Sequence, residues 1–150
     1  MWTPTLEPIL SASIPWYEAL NHPGVFQMGL LRKLFESRPF QKLVPNQSII
    51  KDEPLTGGGK IRAAVASDGS FAFIYSPRGE KFSIDKSVIN GAGINEIWYD
   101  PRYGIAYIIH TTDTKGIQTY TSPTSGIEND WILIIEDADL NFSLPNTIKN

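Results

Sequence analysis

The 150-residue chain has no cysteine, which excludes disulfide bonds and thiolate metal sites. No apolar run approaches the ~20 residues that a membrane helix needs. Thirteen basic residues are spread thinly against 16 acidic ones, and the net charge is −3, which argues against a nucleic-acid or anionic-membrane partner. The two histidines, His22 and His110, have no second ligand at metal spacing. We therefore predict no metal and no cofactor.

The first residues also lack the features of an export signal. Met1 is followed by Trp-Thr-Pro-Thr-Leu-Glu, with neither a basic region nor an apolar stretch after it. We therefore expect either a chain that stays inside the cell or a piece of a longer, secreted protein. The length suits one domain with a core large enough to fold by itself.

Residues 1–40 are predicted to be a lead-in and a helical segment, either the end of a barrel-type domain or a linker. Pro23 suits the first turn of a helix, and Pro39 stops one. Between them, Phe26, Leu30 and Leu34 recur at helical spacing. The pattern predicts an amphipathic helix that runs from about Pro23 to Ser37.

Residues 41–138 change to short apolar runs separated by turn residues, which is typical of all-β domains. We predict a mainly β fold, an antiparallel β-sandwich of the jelly-roll or immunoglobulin-like kind, with a small barrel as the alternative. Residues 139–150 lose all pattern and are predicted to form a loose tail. The predicted strands are Ser48–Lys51, Ile61–Ser67, Phe71–Ser76, Lys81–Asp85, Asn95–Asp100, Ile105–His110, Ile117–Thr121 and Trp131–Glu136.

Three of these strands are apolar on both faces: Phe71–Ser76, Ile105–His110 and Trp131–Glu136. A sandwich strand with one face in water alternates apolar and polar residues. Something must therefore cover the second face. The N-terminal helix can cover part of it, and a partner domain or a second copy of the chain can cover more.

A hairpin is predicted around Pro101-Arg102-Tyr103-Gly104, because proline fixes φ and glycine tolerates positive φ. The structural interpretation is that the Arg102 guanidinium forks onto Asp100 or Asp130 and onto loop carbonyls. The functional alternative makes Arg102 a polar anchor in a ligand groove.

Aromatic residues near this turn are the candidate ligand-binding residues, together with Arg102. Trp98, Tyr99 and Tyr103 are of the type that stacks on sugar rings or on proline-rich polypeptide. Trp98 and Tyr103 are the strongest surface candidates. The alternative for each is a place in the core, which is the usual position of an aromatic residue in a strand.

Acidic residues near the predicted sheet ends raise a catalytic alternative. Glu96, Asp100, Glu128 and Asp130 are the candidates for the paired carboxylates of a small glycoside hydrolase. Strand-end acids more often accept hydrogen bonds from backbone or arginine, so we favour the structural interpretation.

The sequence resembles a known family in several places. The pieces are Trp16-Tyr17-Glu18-Ala19-Leu20, Pro23-Gly24, Ser37-Arg38-Pro39-Phe40, Tyr75-Ser76-Pro77-Arg78-Gly79, Trp98-Tyr99-Asp100-Pro101-Arg102-Tyr103-Gly104 and Asp130-Trp131-Ile132-Leu133. They are similar to the end of the catalytic barrel and to the C-terminal β-domain of apiosidase-like glycoside hydrolases. That β-domain carries the label "putative collagen-binding domain of a collagenase".

The resemblance implies a β-sandwich appended to a (β/α)₈ hydrolase. The catalytic acids of that family lie on the barrel, so no catalytic residue is carried over to this chain. The implied function is a non-catalytic accessory domain that docks to the barrel and binds collagen or polysaccharide outside the cell. A small carboxylate-dependent hydrolase is the alternative, and self-association through the face that a barrel would cover is a third hypothesis.

Overall fold

The computed structural model describes residues 15–52, 56–112 and 115–145. This part of the chain contains a short helix, α1 (Trp16–Ala19), and a longer one, α2 (Pro23–Glu36). Nine strands follow: β1 (Leu43–Pro45), β2 (Ile50–Asp52), β3 (Arg62–Ala66), β4 (Phe71–Ser76), β5 (Phe82–Asp85), β6 (Ile94–Asp100), β7 (Ile105–Thr112), β8 (Ile117–Tyr120) and β9 (Trp131–Asp137). No helix in the described residues is long and apolar enough to cross a membrane.

The strands form two antiparallel sheets, which confirms the predicted mainly β sandwich. The larger sheet has the order β1-β3-β4-β9-β6-β7, and the smaller one has the order β2-β5-β8. Strand β4 has the predicted bounds. Strand β1 was not predicted, because it has only three residues and ends at Pro45, and so carries almost no periodicity.

Between the two sheets lies an apolar core rich in aromatic rings. Trp98 packs edge-on against Phe82, Tyr120 and Trp131, with ring centroids 6.1, 6.5 and 6.2 Å away. Such tilted contacts are the favoured geometry of aromatic pairs. A buried ion pair, Lys86 Nζ to Glu96 Oε1 at 2.6 Å, lies in the same interior.

A second apolar core lies on the outer face of the larger sheet. Leu34 of α2 is buried there, and Phe35 packs edge-on against Phe73 with centroids 5.9 Å apart. The helix thus covers part of the face that the sequence requires to be covered. Only the C-terminal half of α2 does so.

The chain after β9 is packed as far as Pro145, so the predicted loose tail is wrong for residues 139–145. Phe142 lies on Phe71 with ring centroids 5.9 Å apart, and the Arg38 guanidinium sits 5.3 Å from the Phe142 ring. Arg38 Nη1 also donates a hydrogen bond to the Ser143 carbonyl at 2.8 Å. The ring contact with Phe71 and the two contacts with Arg38 hold the tail on the second core. Residues 146–150 lie outside the described residues.

Candidate functional site

The turn between β6 and β7 is fixed by Asp100. Its Oδ1 accepts hydrogen bonds from the backbone N and the Nε of Arg102, both at 2.9 Å, and its Oδ2 accepts one from Arg102 Nη2 at 2.7 Å. Gly104 has φ +71°, and its N–H donates to the Asp100 carbonyl at 2.8 Å. The forked contact stabilises the guanidinium charge and raises the pKa of Arg102.

Arg102 also reaches the loop before β9. Its Nη1 donates to the Glu128 carbonyl at 3.0 Å and to Asn129 Oδ1 at 2.9 Å, and its guanidinium lies 5.2 Å from the Trp131 ring. Four of the five N–H donors of an arginine are therefore directed at protein atoms. Asp130 takes a different partner, since its Oδ2 accepts a hydrogen bond from the Tyr75 hydroxyl at 3.3 Å. Arg102 thus joins the hairpin to the loop.

The aromatic candidates separate sharply in exposure. Tyr103 is 70% exposed at the turn. Trp98 is only 6% exposed and Tyr99 is fully buried, so the expectation that they present their rings to a ligand is wrong. The physical reason is that β6 is an inner strand with a core on each side, and its alternate residues face the two cores.

Tyr99 of β6 contacts α2 on the side of the helix that faces the larger sheet. Its hydroxyl donates to the Leu30 carbonyl of α2 at 3.2 Å. Burial, with a smaller contribution from the nearby Asp100 charge, raises the pKa of Tyr99 to about 12. A neutral, buried phenol in this position links the sheet to α2.

Glu96 and Asp100, two of the four candidate carboxylates, are not arranged as the catalytic pair of the hydrolase alternative. Glu96 is buried between the sheets against Lys86, and Asp100 is engaged by Arg102. They are four residues apart on one strand, which is about 13 Å at 3.3 Å per residue. Paired glycosidase acids lie about 5–9.5 Å apart. Among the described residues, no group of three acidic or histidine side chains is arranged to hold a metal ion.

Several apolar side chains of α2 are exposed in the part of the chain that the structure describes, beside the charged surface that carries Arg32 and Glu36. Phe26 is 66% exposed, and Val25, Met28 and Leu31 are exposed as well. Leu34 is the one buried residue of this 14-residue helix. We call Val25, Phe26, Met28 and Leu31 the helix face. Sequence spacing showed that α2 is amphipathic, but not that its N-terminal half would lie free of the sheet.

A groove of about 1500 Å³ continues from the helix face to the larger sheet. One wall comes from α2 and the floor from the outer face of the sheet, with a polar end near the β6–β7 turn. The lining includes Met28, Leu31 and Phe35 from α2, Phe73 and Ile132 from the sheet, and Arg102, Tyr103, Glu128 and Asp130 at the polar end.

A family profile described as "Putative collagen-binding domain of a collagenase" matches residues 44–136. The chain belongs to this family. The resemblance recognised in the sequence is thereby confirmed. The matched residues comprise all strands of the sandwich from β2 to β8 and nearly all of β9, while α2 precedes them.

Solved structures similar to this family member are glycoside hydrolases. One, described as "Glycoside hydrolase", has a TM-score of 0.80 at 30% identity, covering 91% of this chain and 30% of its own. Another is a glycoside hydrolase family 5 protein from Bacteroides vulgatus, with a TM-score of 0.78 at 28% identity, covering 88% of this chain and 28% of its own. The chain thus spans less than a third of either. A comparison with curated proteins gives no match.

Proposed function

We propose that this chain is a non-catalytic accessory domain of a secreted glycoside hydrolase, and that it docks on the (β/α)₈ catalytic barrel through the helix face and the groove. The observation that carries the proposal is the group of four exposed apolar side chains on α2 that makes up the helix face. Burying one such side chain is worth about 1.5–3 kcal/mol, so four neighbouring ones form a surface that favours a permanent partner.

The size of the groove supports a protein partner over a small molecule. Small-molecule sites have volumes of about 300–1000 Å³, and this groove is larger, at about 1500 Å³. Contiguous apolar surface of this kind marks interaction sites. The similar glycoside hydrolases are more than three times as long as the matched region, which supplies a candidate for the missing partner.

The state of the carboxylates supports a non-catalytic role. A glycosidase needs one acid that can donate a proton and one that stays ionised, both facing the sugar. Glu96 faces Lys86 in the interior, and Asp100 is held by Arg102 at the turn. Neither is presented to a substrate.

A binding titration between this chain and the purified barrel of the parent enzyme tests the docking. We expect Phe26→Ser to weaken binding about tenfold or more, which corresponds to about 1.4 kcal/mol. Ile117→Ser is the matched control, because Ile117 is 66% exposed on β8 of the smaller sheet and does not line the groove. Binding that is absent, or equally weakened by both substitutions, would contradict the docking.

An assay of this chain alone on nitrophenyl glycosides tests the non-catalytic role. We expect no turnover. Turnover that disappears in Asp130→Asn and persists in the exposed control Glu18→Gln would instead support the hydrolase alternative.

A ligand role at the turn is the second candidate, and the exposed Tyr103 ring favours it. The ring is 70% exposed, and the Arg102 guanidinium lies 5.8 Å from its centroid. A rigid, exposed aromatic ring of this kind suits a sugar ring or the proline-rich chain of collagen. We expect Tyr103→Ala to abolish retention on collagen or polysaccharide columns. Failure of the unaltered chain to bind either column would leave docking as the whole function.

A further inference from the structure

We propose that β7 is the interface of a homodimer, in which it pairs antiparallel with β7 of a second copy so that the larger sheets of both copies become continuous. The proposal goes beyond the docking of the barrel, because none of the described groove-lining residues belongs to β7 and the helix face takes no part in it.

Strand β7 is an open edge of unusual length. In the described part of the chain it pairs only with β6, and at eight residues it is the longest strand. An edge strand carries unpaired backbone N–H and C=O groups along its free side. Those groups are satisfied by water or by the backbone of another strand.

The other sheet edges are protected, and β7 is not. Strand β1 is three residues long and ends at Pro45, whereas β2 is three residues long, irregular in register, and carries Lys51 and Asp52. Strand β8 has four residues. Short edges, proline, charges and bulges all prevent edge-to-edge pairing. The sequence of β7, Ile-Ala-Tyr-Ile-Ile-His-Thr-Thr, contains no proline, lysine, arginine or acid.

The free side of β7 exposes apolar side chains on both faces of the sheet. Tyr107 lies opposite Trp98 and so belongs to the inner face, whereas Ile108 lies opposite Ile97 and belongs to the outer face. Tyr107 is exposed, and Ile108 is 61% exposed. A strand that pairs with β7 and covers Tyr107 and Ile108 must itself carry apolar side chains on both faces of the sheet.

A second copy of β7 meets these requirements. Apolar residues would then face apolar residues on both sides of the sheet. Because β7 carries no lysine, arginine or acid, pairing two copies opposes no such like charges, which would destabilise a cross-strand pair. A two-fold axis perpendicular to the sheet generates this antiparallel pair and is the commonest symmetry of homodimers.

Sedimentation of the 150-residue chain over a range of micromolar concentrations tests the dimer. We expect a concentration-dependent dimer, and we expect Ile108→Lys to raise its Kd about tenfold or more by placing like charges across the interface. Ile127→Lys is the exposed loop control, and Phe26→Lys is the control for association through the helix face. Neither should change the Kd.

A chain that stays monomeric at every concentration overturns the proposal and leaves β7 free for a strand from another protein. A dimer that persists in Ile108→Lys, or that is lost in Phe26→Lys, also overturns it. The barrel-binding titration with Phe26→Ser is a separate measurement, so the dimer and the docking can fail independently.

The absence of cysteine allows a direct check of the geometry. In an antiparallel pair around a two-fold axis, one β7 residue faces its own copy, with Cα atoms about 4.5–5.5 Å apart. A disulfide spans about 4.4–6.8 Å between Cα atoms. We expect one of the single variants Ala106→Cys, Tyr107→Cys or Ile108→Cys to give a covalent dimer under mild oxidation. Equal cross-linking of Ile127→Cys would contradict a β7 interface.

Discussion

Arg38 and Glu136 are 98 residues apart in the sequence and form an ion pair that is closed to solvent on both sides. Arg38 Nε and Nη2 both donate to Glu136 Oε2, at 2.8 and 2.6 Å. Loss of solvent raises the pKa of Glu136, and the Arg38 charge acts in the opposite direction. The pair joins the chain just after α2 to the end of β9.

Removing one partner of this pair should strongly destabilise the fold. Glu136→Gln leaves the Arg38 charge buried without a counter-charge, and we expect a loss of about 3–5 kcal/mol in the free energy of unfolding. Urea unfolding followed by circular dichroism measures it. The double variant Arg38→Met/Glu136→Leu should recover most of the loss. A loss below about 1 kcal/mol in Glu136→Gln would mean that the pair is not buried in solution.

Arg102→Lys should destabilise the turn, although both side chains are cationic. Lysine cannot form the fork onto Asp100 or reach Glu128 and Asn129 with the same planar geometry. We expect a loss of about 1.5–3 kcal/mol in urea unfolding, the range for hydrogen bonds to charged groups. Arg32→Lys is the control, since its pair with Glu36 lies on the surface of α2, where an ion pair contributes little, and the substitution should leave urea unfolding nearly unchanged. Equal effects of the two substitutions would contradict a structural role for Arg102.

Two Gly→Ala substitutions should change stability in opposite directions. Gly79 has φ +59°, and a Cβ there would lie 2.0 Å from the Thr124 carbonyl oxygen, so Gly79→Ala should cost at least about 2 kcal/mol. Gly29 lies within α2, and no atom is within 4 Å of a Cβ built there. Gly29→Ala should therefore stabilise by about 0.5–1 kcal/mol. Thermal unfolding of both variants measures these changes, and a tolerated Gly79→Ala would show that residue 79 does not need a left-handed backbone in solution.

Alkaline pH should weaken the fold through Tyr99. Its pKa is raised to about 12 in the folded state, and an unfolded tyrosine ionises near 10. Between these values the unfolded chain has lost the proton and the folded chain has kept it, so stability falls as pH rises. We expect Tyr99→Phe to flatten this fall in urea unfolding from pH 9 to 11, and the exposed control Tyr103→Phe to leave it unchanged. If the pH dependence of stability is the same in Tyr99→Phe as in the unaltered chain, the Tyr99 hydroxyl is in contact with water and the prediction is wrong.

Local patterns were sufficient to predict much of the fold. Pro23 and Pro39 mark the two ends of α2, because the effect of a proline on a helix is confined to one turn. The strands β4 and β9 have apolar residues on both faces, and this pattern indicated a second core. These signals depend on neighbouring residues. The packed tail gave no such signal, because Phe142 is ordered by Phe71 and Arg38, which lie far away in the sequence.

The candidate site was harder to predict. Trp98 and Tyr103 both look like exposed aromatic residues in sequence, and only the position of β6 inside the sheet decides that Trp98 is buried. The contact between Asp100 and Arg102 is local, so the turn residues suggested it, although the sequence left Asp130 open as the alternative partner. The groove depends on how far α2 stands away from the sheet, which no local pattern encodes.

The most direct test of the docking is amide hydrogen exchange on this chain, alone and in the presence of the parent barrel. The helix face is at the solvent-exposed N-terminal half of α2, which should exchange fast when the chain is alone. We predict that exchange at residues 24–31 slows when the barrel is present, while exchange in β8 of the smaller sheet stays unchanged. Equally fast exchange at residues 24–31 with and without the barrel would contradict the proposed function.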